Sequence, residues 1–161
     1  MDLSAKIAVI ATFAALASAL GTMLTLVRLR RAEQASFFLE MTDRYSQPEM
    51  QDAINALVIW YKADPANFVE IWIAERNSGK PEALQLEHHR RRIGRYFGDI
   101  ARLYQARMID KRLAILVIDF PGLNVWYQIA VPMGSAYAQR NSRSAAILKK
   151  VLPQYGAGTI I

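Results

Sequence analysis

Residues 7–27 read IAVIATFAALASALGTMLTLV, 21 positions without a charged side chain. About 20 apolar residues in a helix rise far enough to cross the ~30 Å hydrocarbon core of a bilayer. The run is expected to be a transmembrane helix, and that expectation decides the architecture of the rest. It is rich in alanine, with Thr12, Ser18, Gly21, Thr22 and Thr25 interspersed. Small residues allow a neighbouring helix to approach closely, and hydroxyls bond either back to their own helix or across to a partner. Ala17-Ser18-Ala19 has the small-x-small form that a signal peptidase reads. Two features oppose cleavage. The one cation before the run, Lys6, is offset by Asp2, and the apolar stretch continues past Ala19 to Val27. The expectation is an uncleaved anchor.

Arg28, Arg30 and Arg31 follow the run at once, against the single Lys6 before it. Flanking cations are retained on the cytoplasmic side, so the C-terminal part is expected in the cytoplasm and the short N-terminus outside. The location implied is the inner (cytoplasmic) membrane, crossed once. The same arginines can reach up to the lipid phosphates and hold the helix at one depth. Beyond them lie about 130 residues, enough for one domain with a modest core. The chain of 161 residues has no cysteine, which excludes disulfide scaffolds and cysteine metal sites. Its net charge is +6, and Asp2 and Lys6 cancel, so the whole excess lies in residues 28–161. Such a domain beside a membrane is drawn to anionic lipid, to an acidic protein face or to nucleic acid.

After the arginines, helical signals follow one another with short breaks. Phe37, Phe38, Met41 and Tyr45 recur at helical spacing, and nothing between Val27 and Ala32 breaks a helix. Ser46-Gln47-Pro48-Glu49 reads as a capping box with proline in the first turn. The helix it opens carries Met50, Ile54, Leu57, Val58 and Tyr61 on one face. Asp64-Pro65 repeats the start signal, for a short helix holding Phe68, Ile71 and Trp72 and ended by Asn77-Ser78-Gly79. Pro81 opens a long helix to about Met108, with an apolar line from Leu86 through Ile93, Tyr96, Phe97 and Ile100 to Leu103. Asp110 is expected to cap a helix from Leu113 to Ile118. Leu123 to Arg140 reads as a helix kinked at Pro132, and Ser142 to Leu152 as a last short one. Alternation of the strand type is nowhere convincing. The fold class expected is all-α: one N-terminal transmembrane helix and an irregular cytoplasmic bundle of about five to seven helices. The divisions are 1–6, a short leading segment; 7–27, the span; 28–31, the basic juxtamembrane segment; 32–152, the helical domain; and 153–161, a tail.

Four pieces in this order resemble the DUF4760 family of bacterial membrane proteins. They are the N-terminal span, the aromatic helix ending in Arg44-Tyr45 with Pro48-Glu49, and the long helix with Arg91-Arg92, Tyr96-Phe97, Ile100-Ala101-Arg102-Leu103 and then Ile109-Asp110. Trp126, Pro132 and Arg140 close the pattern. The resemblance covers nearly the whole chain. It implies a membrane location and a helical fold, and brings no catalytic residues with it.

Catalytic constellations are poor. His88 and His89 are adjacent, so they point about 100° apart on a helix and cannot share a metal in the i, i+4 manner. His89 lies on the apolar line, as a partly buried histidine would. His88 with Glu87 or Asp99 makes a weak acid–base candidate, with no pattern around it. Gly79-Lys80 lacks the second glycine, the following hydroxyl and the strand of a phosphate loop. No Gly-x-Ser-x-Gly or paired-carboxylate signature is present.

Arg90, Arg91, Arg92 and Arg95 sit within two turns of the long helix, with Arg102 and Arg107 beyond. They form either a solvated face, tied by Arg95–Asp99 and Arg102–Asp99 pairs, or a surface for anionic lipid or an acidic partner, with Arg91, Arg92 and Arg95 at its centre. Nucleic acid is the weaker partner, for want of a helix-turn-helix or stacking signature. Gly94 and Gly98 lie four apart on the same helix, where each costs ~1 kcal/mol relative to alanine. Their spacing points to close packing of another helix, from this chain or a partner. Trp60 and Trp72 lie near helix ends and suit core, interface or headgroup contact alike. The function expected is a non-catalytic accessory or assembly subunit of a larger membrane protein complex, with other membrane subunits as partners. The alternative is a self-contained regulatory protein that recognises anionic lipid or a cytosolic partner. No cofactor or metal is expected, and a homo-oligomer is compatible with either reading.

Overall fold

The computed structural model describes the backbone of residues 3–118, 120–139 and 142–151, and side chains from residue 12 onward within those ranges. Arg140 and the segment 153–161, both named above, lie outside the described residues. Every element described is helical. The chain forms two compact units, Met1–Leu39 and Glu40–Ile161.

The first unit is one helix. α1 runs unbroken over Leu3–Ser46, so the apolar run and the aromatic stripe after it share a single helix. From Thr12 it is long and apolar enough to cross a membrane, with none of its most apolar window buried. Phe13, Leu16, Leu20, Met23 and Leu24 are all more than half exposed. The hydroxyls turn inward: Thr22 Oγ1 donates to the Ser18 carbonyl at 3.0 Å and Thr25 Oγ1 to Gly21 at 2.9 Å. Both hydroxyl donors are thereby satisfied within α1 itself.

The second unit is a bundle around α4, Pro81–Gln105. α2 (Pro48–Ala63) makes the broadest contact with it, and α3 (Phe68–Asn77), α5 (Lys111–Ile118) and α8 (Arg143–Val151) pack on other sides. The apolar line of α4 forms the core: Ile93, Phe97, Ile100 and Ala101 have no exposed surface. Trp72 is fully buried and donates to the Ala83 carbonyl at 3.2 Å, which makes it core. Trp60 is half-buried and donates to the Phe68 carbonyl. Tyr96 is buried with its hydroxyl on the Val117 carbonyl at 2.9 Å, and burial pushes its pKa well up. At the end of α1, Met41 and Tyr45 enter this core; Tyr45 stacks on Phe120 at 4.2 Å.

Several boundaries differ from expectation. Ser46 is the last residue of α1, and Gln47 caps α2 without a side-chain bond, so the capping box is not made. Asp64 does accept the Ala66 and Asn67 N–H groups, at 3.2 and 3.1 Å, but Pro65 lies in the turn and α3 starts only at Phe68. α3 ends as expected, at Gly79 with φ +75°. α4 stops at Gln105 rather than Met108, because Arg107 takes the left-handed conformation (φ 59°) usual for glycine. Asp110 caps α5 through the Leu113 N–H at 2.8 Å. Around Pro132, α6 (Gly122–Val125) widens into a π-helical turn at Trp126–Ala130 before α7 (Val131–Ala138). The π turn, with the Val131 N–H on the Trp126 carbonyl, runs straight into Pro132 at the start of α7. The irregularity expected as a kink is thus a π turn. Ser142 Oγ caps α8 through the Ala145 N–H.

Candidate anion-binding ridge on α4

One face of α4 supplies the buried anchor of the site. Glu87 lies beside Leu86 and is 5% exposed, the one buried charged side chain among the described residues. Arg90, one turn on, grips it with Nε at 2.7 Å and Nη2 at 2.8 Å, and Arg91 adds Nε at 2.5 Å. Burial pushes the Glu87 carboxyl up, but the two guanidinium groups outweigh it and hold the pKa below its ordinary value. Arg90 also lies over the Trp72 ring, 6.0 Å from its centre. Two arginines of the sequence cluster are therefore committed to the fold. The sequence offers this acid as a partner for His88. Its signal was legible: an acid on the core-facing line, three and four residues before two arginines.

Asp99 is the second internal acid. It pairs with Arg102 one turn away and with Arg44 of α1 at 3.2 Å. The Arg95–Asp99 pair expected from spacing is not formed, since Asp99 is taken by these two. Arg92 and Arg95 are exposed and make no ion pair among the described residues.

These two line an open groove of about 730 Å³ between the end of α1, the start of α2 and α4. Arg44, Gln47, His88, His89 and Arg91 line it as well, together with Glu49 and Asp52 of α2. His89 has its pKa lowered by burial first and then by the Arg92 charge, against the pull of Asp52. It is neutral at pH 7 and can accept or donate one hydrogen bond. Of the residues expected to act, Arg91, Arg92 and Arg95 are thus brought together, and Arg44, His88 and His89 join them from positions not grouped with them in sequence. Arg28, Arg30 and Arg31 lie exposed on α1 in the first unit.

The two glycines separate. Gly98 is buried, and a Cβ there would sit 3.8 Å from Ser144 Oγ of α8, an ordinary contact. At Gly94 a Cβ would meet nothing within 4 Å. The tight glycines are others. A Cβ at Gly122 would lie 2.9 Å from both Ile54 Cδ1 and Tyr45 Oη, and one at Gly134 would lie 2.7 Å from Arg90 Nη1. Among the described residues no three His, Asp or Glu side chains converge as metal ligands. What the ridge can do chemically is bind oxyanions, through guanidinium forks that match carboxylate and phosphate geometry. Comparison with protein families, curated proteins and solved structures finds no match to this chain.

Proposed function

We propose that the chain is a non-catalytic accessory subunit of a larger membrane protein complex. α1 anchors it in the inner membrane with the N-terminus outside, and the helical domain docks in the cytoplasm through the α4 ridge onto an acidic segment of another subunit. The observation that carries this reading is the division of labour among the arginines. Arg90, Arg91, Arg44 and Arg102 are tied to Glu87 and Asp99, whereas Arg92 and Arg95 stand exposed and without an ion-pair partner among the described residues, at the rim of a groove. Cations kept in place with no internal partner suit an external one. The orientation rests on Arg28, Arg30 and Arg31 after the apolar run.

The test is purification of the tagged full chain from membranes in mild detergent, with intact-complex mass measurement. The wild type is expected to carry other membrane chains at fixed stoichiometry. Arg92→Gln with Arg95→Gln is expected to release them while the chain itself stays folded. A wild-type chain that purifies alone, or a double variant that keeps its partners, contradicts the proposal.

A further inference from the structure

A second groove, of about 820 Å³, lies on the opposite flank of the ridge, between α4, the π turn, α7 and the start of α8. Its composition differs from the first. Arg90, Arg91, Arg95, Arg102 and Arg143 all line it, and among the described residues no carboxylate side chain does. Among the described residues the acids paired with these arginines are Glu87, shared by Arg90 and Arg91, and Asp99, which holds Arg102 and also Arg44. Five cations against two acids leave an excess of three positive charges, and Arg95 and Arg143 have no ion-pair partner among the described residues.

The groove is also built in advance. Arg90 is held along one edge of its guanidinium, Nε and Nη2, by Glu87, and its Nη1 lies close against α7 where Gly134 leaves room for it. Opposite, Gly94 leaves open floor, since an added Cβ there meets nothing within 4 Å. Ser135 and Ser144 supply hydroxyl donors in the wall. The volume lies within the range of small-molecule sites. The row Arg91, Arg95, Arg102 extends about 16 Å along α4 at the helical rise of 1.5 Å per residue. A single phosphate leaves part of that excess of three positive charges unmatched, whereas a diphosphate, with about three negative charges near neutral pH, balances it.

We propose that this groove binds a diphosphate group, either free or at the head of a lipid. Arginine forks and serine hydroxyls donate to its oxygens, and the ligand relieves the repulsion among the guanidinium groups. The site goes beyond the docking role above and is separable from it, because Arg102 and Arg143 line only this groove and Arg92 only the other.

Titration calorimetry on the full chain in neutral detergent, in magnesium-free buffer at about 0.15 M salt, tests it, since weak surface attraction is largely screened there. The probes are inorganic pyrophosphate and farnesyl diphosphate. Pyrophosphate is expected to bind. Equal affinity for the two marks the free anion as the source, and affinity for farnesyl diphosphate at least tenfold tighter marks the lipid. Arg102→Gln with Arg143→Gln is expected to weaken binding about tenfold or more. Gly94→Leu, whose Cβ meets nothing within 4 Å and whose side chain would occupy the open floor, is expected to abolish it. Lys149→Gln with Lys150→Gln, an equal loss of charge on exposed α8 positions outside both grooves, is expected to leave it unchanged. Absence of binding by both probes overturns the proposal. So does binding that neither the arginine pair nor Gly94→Leu alters, or that the lysine pair weakens as much as the arginine pair.

Discussion

Glu87 carries the largest electrostatic commitment in the fold, because it is an acid with 6% of its side chain exposed and two guanidinium groups on it. Glu87→Gln keeps the shape and leaves Arg90, itself 17% exposed, without its counter-charge. Breaking a buried pair from one side costs about 3 kcal/mol or more. The pH dependence has a definite sign. The folded pKa lies below the ordinary 4.5, so the unfolded chain takes up the proton at higher pH than the folded one. The stabilisation is complete above about pH 4.5 and is lost as pH falls through the folded value. Denaturant unfolding of the full chain in detergent, followed by tryptophan fluorescence, is expected to show a wild-type advantage over Glu87→Gln at pH 7 that narrows below pH 4. A gap that stays constant contradicts the assignment. At this scale the arginine face was legible from spacing alone. Which arginines are spent internally was not, because Arg44 and Asp99 meet from positions 55 apart in the chain.

The helices were legible as elements, and their ends less so. Glycine shows why. The pair Gly94 and Gly98 has the spacing of a packing motif, yet neither is closely pressed, whereas Gly122 is. The Gly122 N–H donates to Tyr45 Oη at 2.9 Å, tying the end of α1 to the start of α6. Nothing local to Phe120-Pro121-Gly122 announces a tyrosine 77 residues away. Burial raises the Tyr45 pKa and this bond partly offsets it, so the hydroxyl stays protonated across the physiological range. Gly122→Ala is expected to cost ~1–3 kcal/mol by overpacking. Gly94→Ala with Gly98→Ala is expected to stabilise, by up to ~2 kcal/mol, since helix propensity is gained and no contact closer than 3.8 Å is made. Thermal unfolding of the two variants beside the wild type checks both signs. A lower midpoint for the Gly94/Gly98 double variant contradicts the packing described here. The end of α4 was missed for a related reason: its left-handed stop is Arg107, where the sequence shows no glycine. At Pro132 the sequence predicts a kink and the structure has a π turn just before it, and the two leave the same mark in sequence.

At the scale of the whole molecule, two features legible in the sequence frame the account. One is the uncharged run at residues 7–27, which the structure places on a helix long and apolar enough to cross a membrane. The other is the +6 charge, all of it after that run. The convergence of Arg44, His88 and His89 with the α4 arginines needed the bundle, because it depends on how α1, α2 and α4 pack. The proposed role requires that the bundle and its ridge face the cytoplasm while the chain stays uncleaved. A fusion of alkaline phosphatase after Ile161, expressed in bacterial cells, tests that requirement most directly, since the enzyme is active only outside the cytoplasm. The account predicts an inactive fusion at full length in the membrane fraction. An active fusion contradicts it, whether the chain is inverted or cut after Ala19 and released.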